Sequence, residues 1–432
     1  MNPSETKGDK LVLQEENRRL QSTVEELSIL NEVATAISSA QTVDKIEYQI
    51  VKKCIKHLSV EEGAVMLFNE DDLYKPFQTM FRTKNSLLDS LPHTLDAQIT
   101  NWVLKNKTTL VINNFAQDER FVKSGEVQNI LKSLLCAPMF IKGKLLGIIV
   151  LFNKTNGEFT DRDQRLLSIL ATQSAQVIES ARLYQQESAF LKLKEEMNLA
   201  SQIQNNLLPR TSLKLGGYTI TGKTIPAKDV GGDFFDYVTL ADNKIAIWLG
   251  DVSGKGMPAA LMMANIHGFL RSRCAVDKDC IKSVTAANEM IFKNSGVDKF
   301  ATLFYSILDT GTSQLNFVIA GHNNIIHLNG NKEVTVNKSY GIPVGLYQSY
   351  NFEEKVITPD SGDLILIYSD GIIEAENDKE EFFGEERLIE ILKQPGEIDL
   401  QKLTEEIYSE LKSFSRNTLQ ADDQTLLLIK RE

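Results

Sequence analysis

Apolar positions along this chain change their period twice, and the changes divide it. Leu13, Leu20 and Leu27 alternate with Asn17, Val24 and Asn31 at steps of four and three. That is the seam of a parallel two-stranded coiled coil, its register set by asparagine; over only three heptads, an amphipathic helix packed on its own domain is the alternative. It predicts an N-terminal helix over residues 1–30 and a homodimer. Helical spacing continues through VDKIEYQIVKKCIKHL, then gives way to the strand-like EGAVMLFNE and an irregular stretch to about residue 93. DAQITNWVLKNKTTLVI reads as a helix running into a strand, and SLLCAPMFIKGKLLGIIVLFNK as two strands joined across Lys142-Gly143-Lys144. A helix opens at FTDRDQRLL, where Thr160 or Asp161 can cap it, and Leu166, Leu167, Leu170, Ala171, Ser174, Val177 and Ile178 mark one face. The pattern runs on through Phe190, Leu193, Met197, Ala200, Gln204 and Leu207 until Pro209 stops it. Such a stripe also suits a plain core helix; its place between two domains favours a dimeric transmitting helix.

From Gly217 the period shortens to that of strands: YTITGKTI, FFDYVTL, KIAIWLGDV, ATLFYSILDT, LNFVIAG, NIIHLNG, EVTVNK, DLILIYSDG and QTLLLIK. Two helices fall at about 257–275 and 280–294, and two more precede the last strand. Strands in runs with helices grouped between them argue for an α+β fold rather than an alternating parallel sheet.

At 432 residues the chain has room for two or three domains, and 42% hydrophobic with 24% charged residues is a globular composition. The net charge of −11 argues against nucleic-acid or anionic-membrane binding, which needs a basic surface. No signal peptide is expected from MNPSETKGDK, and the apolar run LLGIIVLF is far short of the ~20 residues of a membrane span. Cys54, Cys136, Cys274 and Cys280 have no metal or redox spacing, so a reduced, cytoplasmic protein is expected.

The chemistry is sharpest at LGDVSGKGMPAA (Leu249–Ala260), which imitates a Walker A loop but is one residue short and has Gly256 in place of the hydroxyl. The acids are more informative. Asp251 ends the apolar IAIWLGD, Asp370 ends LILIYSD and precedes Gly371, Asp233 follows Gly231-Gly232, and Asp422-Asp423 precede QTLLLIK. Two carboxylates ~4 Å apart repel by about 4 kcal/mol at an effective dielectric near 20, and a divalent cation reverses that sign. An all-oxygen donor set points to Mg²⁺ or Mn²⁺ rather than zinc. A single Asp before Gly is ordinarily a turn residue; four in such contexts within one domain are the signal.

Two resemblances add to this reading. Residues 31–186, through the hairpin and FTDRDQRLLSILATQSAQVIESARL, resemble a GAF domain, an antiparallel sheet flanked by helices. Asn153, Lys154, Phe159 and Asp163 match part of the signature of cyclic-nucleotide-binding GAF domains, but Gln164 stands in place of its glutamate. Capping of the closing helix is the favoured role, and a small-molecule ligand or partner protein at this domain stays open. Residues 213–432 resemble the SpoIIE-type, RsbU-like branch of the PPM (PP2C-like) serine/threonine phosphatases through PAKDVGGDFFDY, LGDVSGKGMPAALMMA, FATLFYSILD, AGHNN, GIPVGL, GDLILIYSDGIIEAEN and ADDQTLLLIK. EEMNLASQIQNNLLPR resembles the linker helix before such domains, here 187–212.

The second resemblance implies an αββα sandwich and two Mn²⁺ or Mg²⁺ ions that ready a water for in-line attack on phosphorus. Asp251 would bridge the ions, Val252 would offer its carbonyl, Asp370 and Asp422 would complete one shell, and Asp233 would act at or beside the site. Asp423 is a weaker candidate than Asp422, and Asp236 reads as structural. Ser253 stands where eukaryotic PP2C enzymes carry a histidine, so the proton donor is unassigned. His322 is a candidate for it and, with Lys228, for contact with the phosphate. The implied substrate is a phosphoserine or phosphothreonine on a STAS-domain anti-anti-sigma-like protein. A scaffold that binds a partner without hydrolysis is the competing class, and metal titration separates the two. A phosphodiesterase or nuclease using the same ions fits the acidic charge poorly.

Overall fold

The computed structural model describes eleven single positions between 13 and 35, and residues 43–68, 77–82, 93–121, 131–294, 299–338, 341–394 and 399–432. Two compact units emerge, Met1–Leu191 and Lys192–Glu432. The predicted seam residues Leu13, Asn17, Leu20, Val24, Leu27 and Asn31 are all helical, and all are exposed. Among the described residues no helix is long and apolar enough to cross a membrane.

In the first unit α1 (Val43–Leu58) leads into β1 (Val60–Phe68), β2 (Phe77–Arg82), α2 (His93–Asn106), β3 (Leu110–Ile112), β4 (Leu134–Ile141), β5 (Lys144–Lys154) and α3 (Asp161–Leu207). The five strands form an antiparallel sheet of order β2-β1-β5-β4-β3. Strand β2 falls inside the stretch read as irregular; FQTMFR lacks alternation and Val or Ile, and only its pairing with β1 reveals it. The hairpin turns on Lys142 and Gly143, both at positive φ (47° and 84°), the conformation a two-residue turn demands. Alternation along β5 divides two cores. Ile149 and Leu151 face α1 and α3, while Ile148, Val150 and Phe152 face α2.

Thr160 caps α3. Its Oγ1 accepts from Asp163 N, and the Asp163 carboxylate accepts from Thr160 N at 2.9 Å, a reciprocal capping box. The helix then runs 47 residues without a break through the expected start of the linker at 187, and ends at Leu207, two residues before Pro209. Leu208 is buried beyond it.

In the second unit β6 (Leu213–Leu215), β7 (Tyr218–Ile225), β8 (Phe234–Thr239) and β9 (Lys244–Val252) precede α4 (Met257–Arg273) and α5 (Cys280–Asn294). Then come β10 (Ala301–Asp309), β11 (Gln314–Ala320), β12 (Ile325–Leu328), β13 (Val334–Asn337), β14 (Glu354–Ile357) and β15 (Leu364–Tyr368). The one-turn α6 (Asp370–Ile373), α7 (Gly384–Leu392), α8 (Leu400–Phe414) and β16 (Gln424–Arg431) close the chain. Two antiparallel sheets result, β14-β11-β10-β9-β8 and β13-β12-β15-β16-β7-β6. Side chains sort by the strand period of two. Ile365, Ile367, Leu427 and Ile429 join the core between the sheets, with Trp248 and the buried faces of α4 and α5. Leu364, Leu366, Leu426 and Leu428 turn the other way, onto α7 and α8. This is the expected αββα sandwich.

Candidate metal-dependent active site

The acids gather where strands of both sheets end. Asp251 lies near the end of β9, paired across to Thr302 of β10. Asp370 opens α6, two residues beyond the end of β15. The neighbouring strand of the same sheet, β16, brings Asp422 and Asp423 beside it. Ser369 N donates to Thr425 O at 2.9 Å, Ser369 Oγ donates to Asp423 O at 3.1 Å, and Thr425 N donates to Ser369 Oγ at 3.0 Å. Buried Ser369 therefore sets Asp370 against the Asp422–Asp423 pair. The approach is close: a Cβ on Gly371 would stand 2.1 Å from Asp423 O, so only glycine fits.

Asp423 and Asp422 have separate tasks. The buried Asp423 carboxylate accepts from Ala227 N (2.8 Å), Gly232 N (2.6 Å) and Asp233 N (3.3 Å). It thereby folds the turn that carries Asp233, and a Cβ on Gly231 would meet Asp423 Oδ2 at 2.2 Å. Gly232 lies under Val252 O, which a Cβ would meet at 2.8 Å. The Asp422 side chain keeps 40% exposure, and its Oδ2 pairs with Lys255 Nζ at 2.8 Å.

Charge has accumulated here. Burial pushes Asp233 well above the usual carboxylate range, and the charge of Asp251 adds to it. Burial likewise raises Asp251 to about 7, followed by the charge of Asp370. Asp370 is raised by burial and then by Asp422. Asp233 Oδ2 is buried with no hydrogen-bond partner. An orphaned buried oxygen and mutually repelling carboxylates are what a divalent cation relieves. Among the described residues no three carboxylate, imidazole or thiol groups are gathered as a cage around one ion. A Mg²⁺-like ion does not need one, since it keeps several waters and uses one or two carboxylates. The residues fit a hydrated, oxygen-bound cation at Asp251 and Asp370, with Val252 O and Asp422 at the margin.

The remaining candidates divide. Lys228 is exposed on the turn before Asp233. His322 is buried, shares a 2.8 Å hydrogen bond with Thr302 Oγ1 through Nδ1, and is pulled down to about 3 by burial. A neutral ring behind Thr302 is placed to position the strand beside Asp251. Ser253 Oγ accepts from Phe300 N at 3.1 Å. Asp236 is buried, with His267 Nε2 at 3.1 Å and Arg271 at 3.4 Å, so it joins β8 to α4. Gly254 (φ 96°) and Gly256 (φ 77°) turn the chain into α4 and carry Lys255 across to Ala421 O (2.7 Å) and Asp422. The sequence reading left Lys255 without a task. It also missed Gln204, whose amide donates to Gly231 O at 2.7 Å and accepts from Gly231 N at 3.1 Å. A glutamine in an otherwise apolar stripe was the available signal.

In the GAF unit the partial signature is internally satisfied. Lys154 Nζ binds Asp163 and Leu58 O, each at 2.9 Å, and lies over the Phe159 ring. Asn153 bonds Lys132 N and Glu61. These residues tie the end of β5 to the capped start of α3.

Two antiparallel sheets faced by helices, with aspartates converging at their ends, define a PP2C-like fold. Comparison with known proteins agrees. Residues 241–432 match the Stage II sporulation protein E (SpoIIE) family and residues 40–179 the GAF domain. Protein IcfG of Synechocystis is 29% identical over 263 residues, 55% of this chain and 41% of that protein. Phosphoserine phosphatase RsbU of Bacillus subtilis is 25% identical over 56% of this chain and 71% of its own length. The SiaA-PP2C domain of Pseudomonas aeruginosa superposes with a TM-score of 0.51 at 22% identity, covering 56% of this chain and 99% of that domain. The chain thus spans less than half of the Synechocystis relative. It is a GAF domain followed by a SpoIIE-type, RsbU-like member of the PPM phosphatase family.

Proposed function

We propose that the chain is a Mn²⁺- or Mg²⁺-dependent protein serine/threonine phosphatase that acts on a phosphorylated STAS-domain protein. The observation that carries this reading is the succession of mutually repelling acids, Asp233 with Asp251, Asp251 with Asp370 and Asp422, and Asp370 with Asp422, with Asp233 Oδ2 buried and unpartnered. Bound there, two divalent ions supply the Lewis-acid charge that acidifies water and offsets the phosphoryl oxygens. The chain's own residues divide the rest. Asp251, the Val252 carbonyl, Asp370 and Asp422 would hold the ions. Asp233 would orient water beside the site. Lys228, exposed on the same turn, is free to meet the phosphoryl group, and neutral His322 holds Thr302 and with it the Asp251 strand. In this reading the seam over 1–30 dimerises the chain, the GAF domain (31–186) senses a small molecule or partner protein, and the linker (187–212) carries the state onward to 213–432. The Gln204–Gly231 pairing supports that route. The test is hydrolysis of p-nitrophenyl phosphate and of a phospho-STAS protein with and without Mn²⁺, in the full chain and in Asp251→Asn. Mn²⁺-dependent turnover that Asp251→Asn abolishes is expected; equal turnover in the variant refutes the assignment.

A further inference from the structure

Lys255 is the unexplained charge at this site. Its ammonium is, among the described residues, the one cation in ion-pair contact with any of Asp233, Asp251, Asp370 and Asp422. Two glycines at positive φ flank it, so the turn is shaped to swing this side chain across to the loop before β16. There Nζ donates to Ala421 O at 2.7 Å and to Asp422 Oδ2 at 2.8 Å, while Asp422 Oδ1 accepts from Asp423 N at 2.9 Å. Both oxygens of Asp422 are thus engaged. A divalent ion arriving at Asp251 and Asp370 meets Asp422 already neutralised, and must take its carboxylate from a neighbour of like charge to itself.

We propose that Lys255 is a resident counter-ion of Asp422, which the divalent cation displaces when it binds. The inference rests on the metal-dependent reading above. In the metal-free chain Lys255 offsets part of the repulsion among the acids; in the metal-bound chain it is released from Asp422 at the mouth of the site. The exchange lowers apparent metal affinity, because each binding event breaks an existing pair.

The test uses the full-length chain and reads no catalysis. Amine acetylation is followed by mass spectrometry with and without saturating Mn²⁺, with exposed Lys379 as the internal control. Labelling of Lys255 rises severalfold on Mn²⁺ binding while Lys379 is unchanged. In parallel, calorimetric titration of Lys255→Met shows Mn²⁺ binding roughly three- to fivefold tighter than wild type, the scale of a half-exposed ion pair. Unchanged or reduced labelling of Lys255 with Mn²⁺ bound overturns the proposal, as does an affinity in Lys255→Met equal to or below wild type. If the variant does not fold, labelling of the wild type decides alone. A wild-type chain that binds no Mn²⁺ overturns the metal-dependent reading itself, an outcome distinct from the others.

Discussion

Two adjacent aspartates with opposite duties give the sharpest quantitative expectation. Asp423→Ala removes the acceptor from three backbone N–H groups, of which those of Gly232 and Asp233 are buried. Leaving a buried donor unsatisfied costs about 1–3 kcal/mol, so the two buried groups together cost about 2–6 kcal/mol. For a unit of this size each kcal/mol lowers the melting temperature by roughly 2–4 °C, so the drop is on the order of 10 °C. Asp422→Asn removes only an ion pair whose partners are 40% and 43% exposed. Such pairs contribute about 0–1 kcal/mol, so its melting temperature stays within a few degrees of wild type. Thermal unfolding followed by fluorescence, to which buried Trp248 contributes, measures both, and Mn²⁺ titration measures the other half of the contrast. Asp422→Asn should bind Mn²⁺ more weakly despite its intact fold. The reasoning is refuted if Asp423→Ala melts with wild type, or if Asp422→Asn is destabilised as much as Asp423→Ala.

Other expectations follow from the same geometry. Asp251→Asn relieves repulsion among the acids, so the metal-free variant should melt a few degrees above wild type and gain no stability from Mn²⁺; calorimetry with and without the ion checks both. Gly371→Ala drives a Cβ to 2.1 Å from Asp423 O, a backbone atom that cannot yield without moving Asp370, and turnover should fall at least tenfold in steady-state assays. Glu47, fully buried on α1 with neither carboxyl oxygen hydrogen-bonded, is raised to about 7 by burial and then by Asp44. An acid raised in the folded state stabilises least when ionised. The first unit should therefore lose up to about 3 kcal/mol as pH rises from its ordinary value near 4.5 through 7. Urea unfolding of Glu47→Gln at pH 5 and 8 should show that slope flattened. Finally, Leu20→Asp with Leu27→Asp should convert a dimer to a monomer by light scattering, since both leucines are exposed in the single chain.

Much of the architecture was legible because period and position agreed. YTITGKTI and KIAIWLGDV coincide with β7 and β9 to the residue, and the unbroken apolar runs LILIY and LLLI fall within β15 and β16. What escaped was set by pairing across the chain. Leu213–Leu215 and Glu354–Ile357 are edge strands of three and four residues, too short for an alternation to register in the sequence. Asp370 was legible as an acid at a strand end, yet that it begins a helical turn depends on Ser369 reaching across to Thr425. That Asp423 and not Asp422 turns inward is set by the N–H groups of Ala227, Gly232 and Asp233, about 190 residues away in the chain and hidden from a local reading. Lys255 and Gln204 were unreadable for one reason. Each bonds to a backbone atom or carboxylate that sequence distance hides, 166 residues away for Lys255 to Ala421 and 27 for Gln204 to Gly231.

Strands β15 and β16 each feed one row of side chains into the core between the sheets and the opposite row into the layer under α7 and α8. Neither layer can melt alone, since releasing one strips the other of half its filling. The carboxyl groups hung from the tips of these strands are therefore fastened to the most cooperative part of the molecule. Whatever adjusts the output of this protein must act on the loops around them, because the strands themselves have no looser arrangement to adopt short of unfolding.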